Sequence, residues 1–357
     1  MKLFESFALG DLELPNRAVM SPMTRSRATP EHVPTPLMAT YYAQRAAAGL
    51  IITEGTSPNG DGCGYARIPG IWNDAQATAW KAVTDAVHQA GGRIALQIMD
   101  CGRVCHPLNM PPDTVLRAPS AVPLSGEMYT DQEGPQPYPI AEPMTGAQIE
   151  ATIASFVGAA ERAARAGFDM VELHGANGYL IDQFLTPSTN QRTDGYGGNI
   201  EGRGRFALEV ARGVSSAIGE KKVGIRLSPY GAFNDMQPWD SIAEDYVWLT
   251  GELSKLGIAY VHLVDHSAMG APTVPASIKT SIRSSFAGAL ILSGGYDRDR
   301  AEADLAENKG DLVAFGRPFL ANPDLLERFE KGAELNQPDF DKFYTPGPEG
   351  YTDYPTL

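Results

Sequence analysis

Three polar side chains that could bind and protonate a substrate follow one apolar run: His174, Asn177 and Tyr179. A histidine and an asparagine three residues apart on a turn can direct two hydrogen-bond donors at one acceptor, as an oxyanion site requires. The tyrosine adds a weakly acidic O–H for proton delivery. The spacing therefore predicts an acid-assisted catalytic site, and a histidine satisfied by the backbone at a strand end is the alternative.

A single arginine, Arg226, lies within another apolar run. A buried guanidinium must be matched by an anion or by several acceptors. Glu54 and Glu172 are candidate structural partners, and a bound anionic ligand is the other interpretation.

Two later runs end in glycine, at Gly294-Gly295 and at Gly316-Arg317. Glycine lets backbone N–H groups approach an anion closely, and a following helix N-terminus adds partial positive charge. The turns predict a phosphate site, which Arg317 strengthens. The alternative is that glycine only terminates the two strands.

Other segments resemble functional motifs but lack the required context. Residues 202–207 match GxGxxA, yet they follow a polar turn rather than a strand, which argues against a dinucleotide site. Cys101 and Cys105 have three intervening residues and no second ligand pair, so no haem or metal site is predicted. The remaining histidines lack comparable neighbours and are expected to be structural or superficial: His32, His88, His106, His262 and His266.

The elements that must position these residues are apolar runs alternating with segments of helical spacing. Eight runs that are apolar on both faces, most of them followed by a helix, predict a parallel, closed (β/α)8 TIM barrel with its site at the carboxyl ends of the strands. The predicted strands are Arg17–Ser21, Leu50–Gly55, Arg93–Met99, Asp169–His174, Val223–Ser228, Tyr260–Asp265, Ala289–Gly294 and Asp311–Gly316. The predicted helices are Pro36–Ala48, Asp74–Gln89, Thr145–Ala166, Asn199–Ile218, Pro238–Leu256, Ala276–Phe286 and Asp297–Asn308.

Residues 1–357 are expected to form one such barrel domain. Asp100–Pro143, with nine prolines and little periodicity, is predicted to be an excursion over the mouth of the barrel. Phe4–Leu14 is predicted to be a β-hairpin that turns at Gly10-Asp11 and closes the bottom of the barrel. The tail, Gln337–Leu357, is expected to be an ordered extension rather than a helix.

Composition excludes several classes of protein. The net charge of −14 has the wrong sign for nucleic acid or an anionic membrane surface. The sequence has no long apolar run and no signal-peptide pattern at its start, and three cysteines are too few for a disulfide framework. We therefore expect a cytoplasmic protein, monomeric or homodimeric, that acts on a small molecule.

Motifs along nearly the whole chain resemble the old yellow enzymes, a family of FMN-dependent ene-reductases. The matching stretches are Asn16–Arg25, Gly49–Gly55, Gly64–Gly70, Gly167–Leu185, Asn190–Gly198, Gly224–Pro229, Ala314–Phe319 and Gly350–Pro355. The long block around His174 is highly specific to that family.

This resemblance implies that FMN lies across the barrel mouth. Thr24 would bind the flavin carbonyl beside N5, Gln97 the pyrimidine edge and Arg226 the N1 and O2 side. The remaining implied cofactor contacts are Pro22, Met23 and Gly55 through their backbones, and Gly294, Gly295, Gly316 and Arg317 at the phosphate.

The resemblance also implies the chemistry. NADPH or NADH would reduce FMN, and hydride would then pass from N5 to Cβ of an activated alkene, such as an α,β-unsaturated carbonyl, a nitroalkene or a maleimide. His174 and Asn177 would bind the carbonyl or nitro oxygen, Tyr179 would protonate Cα, and Tyr65 and Tyr344 would line the pocket. Because the sequence contains no dinucleotide-binding fold, NAD(P)H and the alkene must use one pocket in turn, which predicts ping-pong kinetics.

One motif departs from the family pattern. Where Trp-His is usual, this chain has Met99-Asp100. We hypothesise that Met99 widens the substrate pocket and that Asp100 adds negative charge beside it. Alternatives to the ene-reductase are a colourless phosphate-binding lyase or isomerase barrel and a binding protein without turnover.

Overall fold

The eight apolar runs form eight parallel strands that close into a barrel, as predicted. The computed structural model describes residues 1–357. Several observed strands are shorter than the predicted runs because the polar and glycine residues at the predicted ends leave the ladder. In chain order the barrel strands are Ala18–Met20, Leu50–Ile52, Ile94–Ile98, Met170–Gly175, Val223–Leu227, Tyr260–Val264, Ala289–Ser293 and Leu312–Phe315.

Helices cover the outside of the barrel. The α-helices are Pro36–Ala43, Asp74–Gln89, Gly146–Arg165, Leu180–Leu185, Ile200–Arg203, Arg205–Ile218, Ile242–Lys255, Ala276–Ser285, Arg298–Ala306, Arg317–Ala321 and Leu325–Lys331. Side chains cap several of them where the sequence offers a short polar residue. Thr145, for example, forms a capping box with Gln148. None of the helices combines the length and apolar character that crossing a membrane requires.

An N-terminal hairpin, Phe7–Leu9 paired with Leu12–Leu14, precedes the first barrel strand. Its buried residues Leu9 and Leu14 pack with residues of the barrel strands such as Tyr260. Gly10 has φ +58°, and a Cβ there would lie 2.2 Å from the carbonyl oxygen of Lys221. The turn therefore requires glycine.

The segment between the third barrel strand and its helix contains short elements rather than a plain loop. These are a 3₁₀ turn at Pro107–Asn109, a hairpin of Glu127–Thr130 with Gly134–Pro137, and a strand pair of Arg117–Ala118 with Glu142–Pro143. Buried residues of this segment, including Val104 and Met128, pack in one cluster with Met99 and Tyr179. The segment thus supports the wall of the barrel mouth from behind.

Candidate active site

A cavity of about 590 Å³ opens at the carboxyl ends of the barrel strands. Twelve of the residues predicted from the sequence line it: Pro22, Met23, Thr24, Tyr65, Asn177, Tyr179, Arg226, Gly294, Gly295, Gly316, Arg317 and Tyr344. They come from widely separated parts of the chain, and the parallel register brings them to one mouth.

Three predicted site residues do not line this cavity: His174, Gly55 and Gln97. The His174 ring packs edge-on against Tyr179, with ring centroids 4.8 Å apart, so it lies at the inner edge of the site. The Gln97 amide donates to Glu172 over 2.7 Å, and neither residue lines the cavity.

The bare backbone expected at Gly55 is covered by another side chain. A Cβ at Gly55 would lie 2.4 Å from the sulfur of Met99, so the glycine gives room to that side chain. Met99 is fully buried and does not line the cavity, which contradicts the hypothesis that it widens the pocket.

The carboxylate of Asp100 also turns away from the cavity. It accepts hydrogen bonds from the Gly102 N–H at 2.9 Å and from the Asn59 amide at 3.2 Å. Burial raises the pKa of Asp100 to about 6. The hypothesis that Asp100 places negative charge beside the substrate pocket is therefore wrong.

A backbone hydrogen bond determines which nitrogen of His174 carries the proton. The Ala176 N–H donates to Nδ1 of His174 over 3.3 Å, so Nδ1 must be an acceptor. Burial, helped by the charge of Arg226, holds the pKa of His174 well below its ordinary value. The ring is neutral at pH 7, and its single proton is on Nε2, which makes Nε2–H a donor.

Asn177 is held in a left-handed backbone conformation, with φ +61°. Its N–H donates to Ser228 Oγ at 2.9 Å, and its carbonyl accepts from the Asn234 amide at 2.7 Å. Nε2 of His266 lies 2.7 Å from Oδ1 of Asn177. These contacts fix both the backbone and the amide of Asn177.

His266 is the main residue that sequence reasoning missed. It was expected to be structural or superficial, yet it lines the cavity and contacts a predicted site residue. Its position immediately after the sixth barrel strand was the available signal. By contrast, His262 is fully buried between Glu172 and Ser293, as a structural histidine would be.

Two tyrosines share a hydrogen bond at the side of the cavity. The hydroxyl oxygens of Tyr65 and Tyr179 are 2.9 Å apart. Burial is the largest of the causes that raise the pKa of Tyr179 well above its ordinary value. Tyr179 therefore keeps its O–H proton across the physiological range and can act only as an acid there.

Arg226 is buried at the cavity and its Nε has no partner within the chain. Burial lowers the pKa of Arg226, and the nearby charge of Glu172 opposes that shift. Glu54, the other partner considered, instead accepts from the Arg25 N–H and the Tyr42 hydroxyl. The unmatched Nε is therefore available to a bound acceptor.

The glycine turns at the seventh and eighth strands line the cavity with backbone. Gly294 has φ +117°, and a Cβ there would lie 1.9 Å from the carbonyl oxygen of Asp265. The guanidinium of Arg317 lies 5.0 Å from the centre of the Phe340 ring and forms no salt bridge. A free guanidinium beside bare backbone suits a phosphate.

The chain matches the family model described as NADH:flavin oxidoreductase / NADH oxidase over residues 2–336. A Leishmania infantum protein named "probable flavin mononucleotide-dependent alkene reductase" is 40% identical over 359 residues, and the match covers 99% of this chain and 97% of that protein.

Two solved structures are similar over their whole length. Morphinone reductase in complex with tetrahydroNAD is 46% identical, with a TM-score of 0.95, and the match covers 100% of this chain and 98% of that one. An old yellow enzyme homologue from Zymomonas mobilis is 39% identical, with a TM-score of 0.96 and complete coverage of both chains.

Proposed function

The chain belongs to the NADH:flavin oxidoreductase / NADH oxidase family, the family of the old yellow enzymes, and on this premise we propose that it reduces the carbon–carbon double bond of activated alkenes by a ping-pong reaction. It is an oxidoreductase whose cofactor is FMN and whose reductant is a nicotinamide dinucleotide. The substrates we propose are α,β-unsaturated carbonyl compounds, nitroalkenes and maleimides.

The residues present fit FMN. The unpartnered Nε of Arg226 suits an electron-rich edge of the flavin, and the unpaired Arg317 with Gly294, Gly295 and Gly316 suits its phosphate. Pro22, Met23 and Thr24 line the same cavity and would hold the ring. When bound, FMN supplies a hydride carrier that is reduced by NADPH or NADH and oxidised by the alkene.

His174 and Asn177 bind the substrate oxygen in this proposal. Nε2–H of His174 is a donor because Nδ1 is already an acceptor, and the amide of Asn177 offers a second donor. Two N–H groups aimed at one oxygen stabilise the negative charge that develops there as Cβ accepts hydride.

Tyr179 delivers the proton to Cα. Its raised pKa keeps the hydroxyl protonated, and Tyr65 keeps that hydroxyl oriented through their hydrogen bond. Because both substrates must use this cavity, the nicotinamide leaves before the alkene binds.

The observation that carries this proposal is the convergence of a neutral Nε2–H donor and a protonated tyrosine beside a cavity with an unmatched arginine. The test has two parts. One sample of the purified protein is denatured to identify and quantify the ligand that it releases. Initial rates of the native protein are measured while the concentrations of the nicotinamide and the alkene are both varied. We expect stoichiometric FMN and parallel double-reciprocal lines. A colourless protein that does not take up FMN would instead favour a phosphate-binding lyase or isomerase, and intersecting lines would contradict the ping-pong sequence.

A further inference from the structure

The amide of Asn177 can present either of two chemistries to the cavity. With Nδ2 turned inward it donates a hydrogen bond, and with Oδ1 turned inward it accepts one. The backbone of Asn177 is fixed by Ser228 and Asn234, but those bonds do not determine the orientation of the amide. Another group must select it.

His266 is the side chain that contacts the amide. Its Nε2 lies 2.7 Å from Oδ1 of Asn177, and this is the one hydrogen bond that its ring makes within the chain. The ring is 8% exposed and packs edge-on against Phe233, with ring centroids 4.6 Å apart. Its position is thus defined by packing as well as by the hydrogen bond.

The loop that carries His266 does not depend on this hydrogen bond. The carboxylate of Asp265 accepts from the Ser267 N–H at 3.0 Å and from Lys279 Nζ at 2.6 Å. Gly270 closes the turn in a left-handed conformation. The bond from His266 to Asn177 therefore contributes to the site more than to the fold of the loop.

We propose that His266 is a positioning residue that donates from Nε2–H to Oδ1 of Asn177 and thereby turns Nδ2 toward the substrate oxygen. This inference rests on the proposed function and deepens it. With Nε2–H of His174, it makes the oxygen site one of two donors. Such a site binds carbonyl and nitro oxygens and disfavours groups that can only donate.

The charge state of His266 agrees with this role. Burial and the nearby charge of Arg226 lower the pKa of His266 to about 4, and the carboxylate of Asp265 opposes that shift. The ring is neutral at pH 7 and carries one proton, which Oδ1 of Asn177 attracts to Nε2.

The test uses the oxidised, FMN-loaded protein without nicotinamide, so that ligand binds without turnover. The affinity for 2-cyclohexenone is measured in wild type, His266→Phe, His266→Gln, Asn177→Ala and the double variant His266→Phe/Asn177→Ala. Phe keeps the packing against Phe233 without a donor, and Gln keeps an N–H donor. His88→Phe is the matched control, because His88 contacts Asp169 at the amino end of the fourth barrel strand and does not line the cavity.

We expect His266→Phe to weaken binding about 3- to 10-fold, the effect of one neutral hydrogen bond, and His266→Gln to restore most of it. In the Asn177→Ala background the Phe substitution should have no further effect, because the two residues act through one contact. Unchanged affinity in His266→Phe, or losses that add in the double variant, would overturn the inference. If wild type itself neither binds the enone nor reduces it, the proposed function fails instead.

Discussion

Tyr65 and Tyr179 meet at right angles, with their hydroxyl oxygens 2.9 Å apart and their ring planes 83° apart. One of the two hydroxyls must donate to the other, so the hydroxyl of Tyr179 has a defined hydrogen-bond partner on the cavity wall. The cluster formed by the long excursion lies behind this pair. In the proposed reaction, this contact holds the acid that protonates Cα after hydride transfer.

Tyr179→Phe should therefore slow alkene reduction while leaving reduction by the nicotinamide close to wild type. A positioned acid contributes about 10²- to 10⁴-fold, so a loss of at least about 10²-fold is expected. Stopped-flow spectroscopy measures the two half-reactions separately. Tyr65→Phe is the matched variant, and its effect should be smaller because Tyr179 keeps its own proton. Equal rates for wild type and Tyr179→Phe would show that the proton comes from another group.

His174→Ala should weaken the binding of a phenol to the oxidised protein. A phenolate oxygen would accept from Nε2–H of His174, and hydrogen bonds to charged groups contribute about 1.5–3 kcal/mol, or roughly 10- to 100-fold in affinity. Titration followed by flavin absorbance measures the dissociation constant. His88→Ala should bind as wild type does. An unchanged constant in His174→Ala would remove His174 from the oxygen site.

Gly294→Ala should impair FMN retention. Its Cβ would lie 1.9 Å from the carbonyl oxygen of Asp265, so the turn at the proposed phosphate site must shift. Gly219→Ala is the matched control, because Gly219 also has a positive φ, +91°, but has no atom within 4 Å of the added Cβ. The control separates the clash from the cost of a left-handed backbone. Both variants retaining FMN equally would contradict a phosphate site at Gly294.

Asp100→Asn should stabilise the protein more at pH 8 than at pH 4. Burial raises the pKa of this carboxyl to about 6, so the folded state holds the proton more tightly than the unfolded chain does. Its contribution to stability is complete below about pH 4 and is lost as the pH rises through about 6, at a cost of about 3 kcal/mol. Chemical unfolding at the two pH values measures the difference. Asp240→Asn, at an exposed position, is the control for removing one surface carboxylate. A pH-independent effect of Asp100→Asn would contradict the assigned pKa.

The barrel was predictable because its signals are local. The helix Asp74–Gln89 has the predicted bounds, since Asn73 caps its start and apolar spacing continues to its end. The turn at Gly294 was predictable for the same reason, because bare backbone at a strand end is visible in the sequence.

The errors concern contacts between segments far apart in the chain. His266 and Asn177 are in contact although they are 89 positions apart in the sequence, and no local pattern predicts that contact. Gly55 was expected to face the flavin, but Met99 from the next strand covers it, which depends on how two neighbouring strands pack. The same packing turns Asp100 toward Asn59 rather than toward the cavity.

The most direct test of the proposed alkene reduction is an anaerobic single turnover. The FMN-loaded protein is reduced with one equivalent of NADH or NADPH, freed of nicotinamide and mixed with 2-cyclohexenone, and flavin absorbance and product are followed together. We expect the flavin to be reoxidised and one equivalent of cyclohexanone to form for each flavin. Two results would contradict this proposal. In the first, the flavin stays reduced with 2-cyclohexenone and also with a nitroalkene and a maleimide tested in the same way. In the second, the flavin is reoxidised but no saturated product forms.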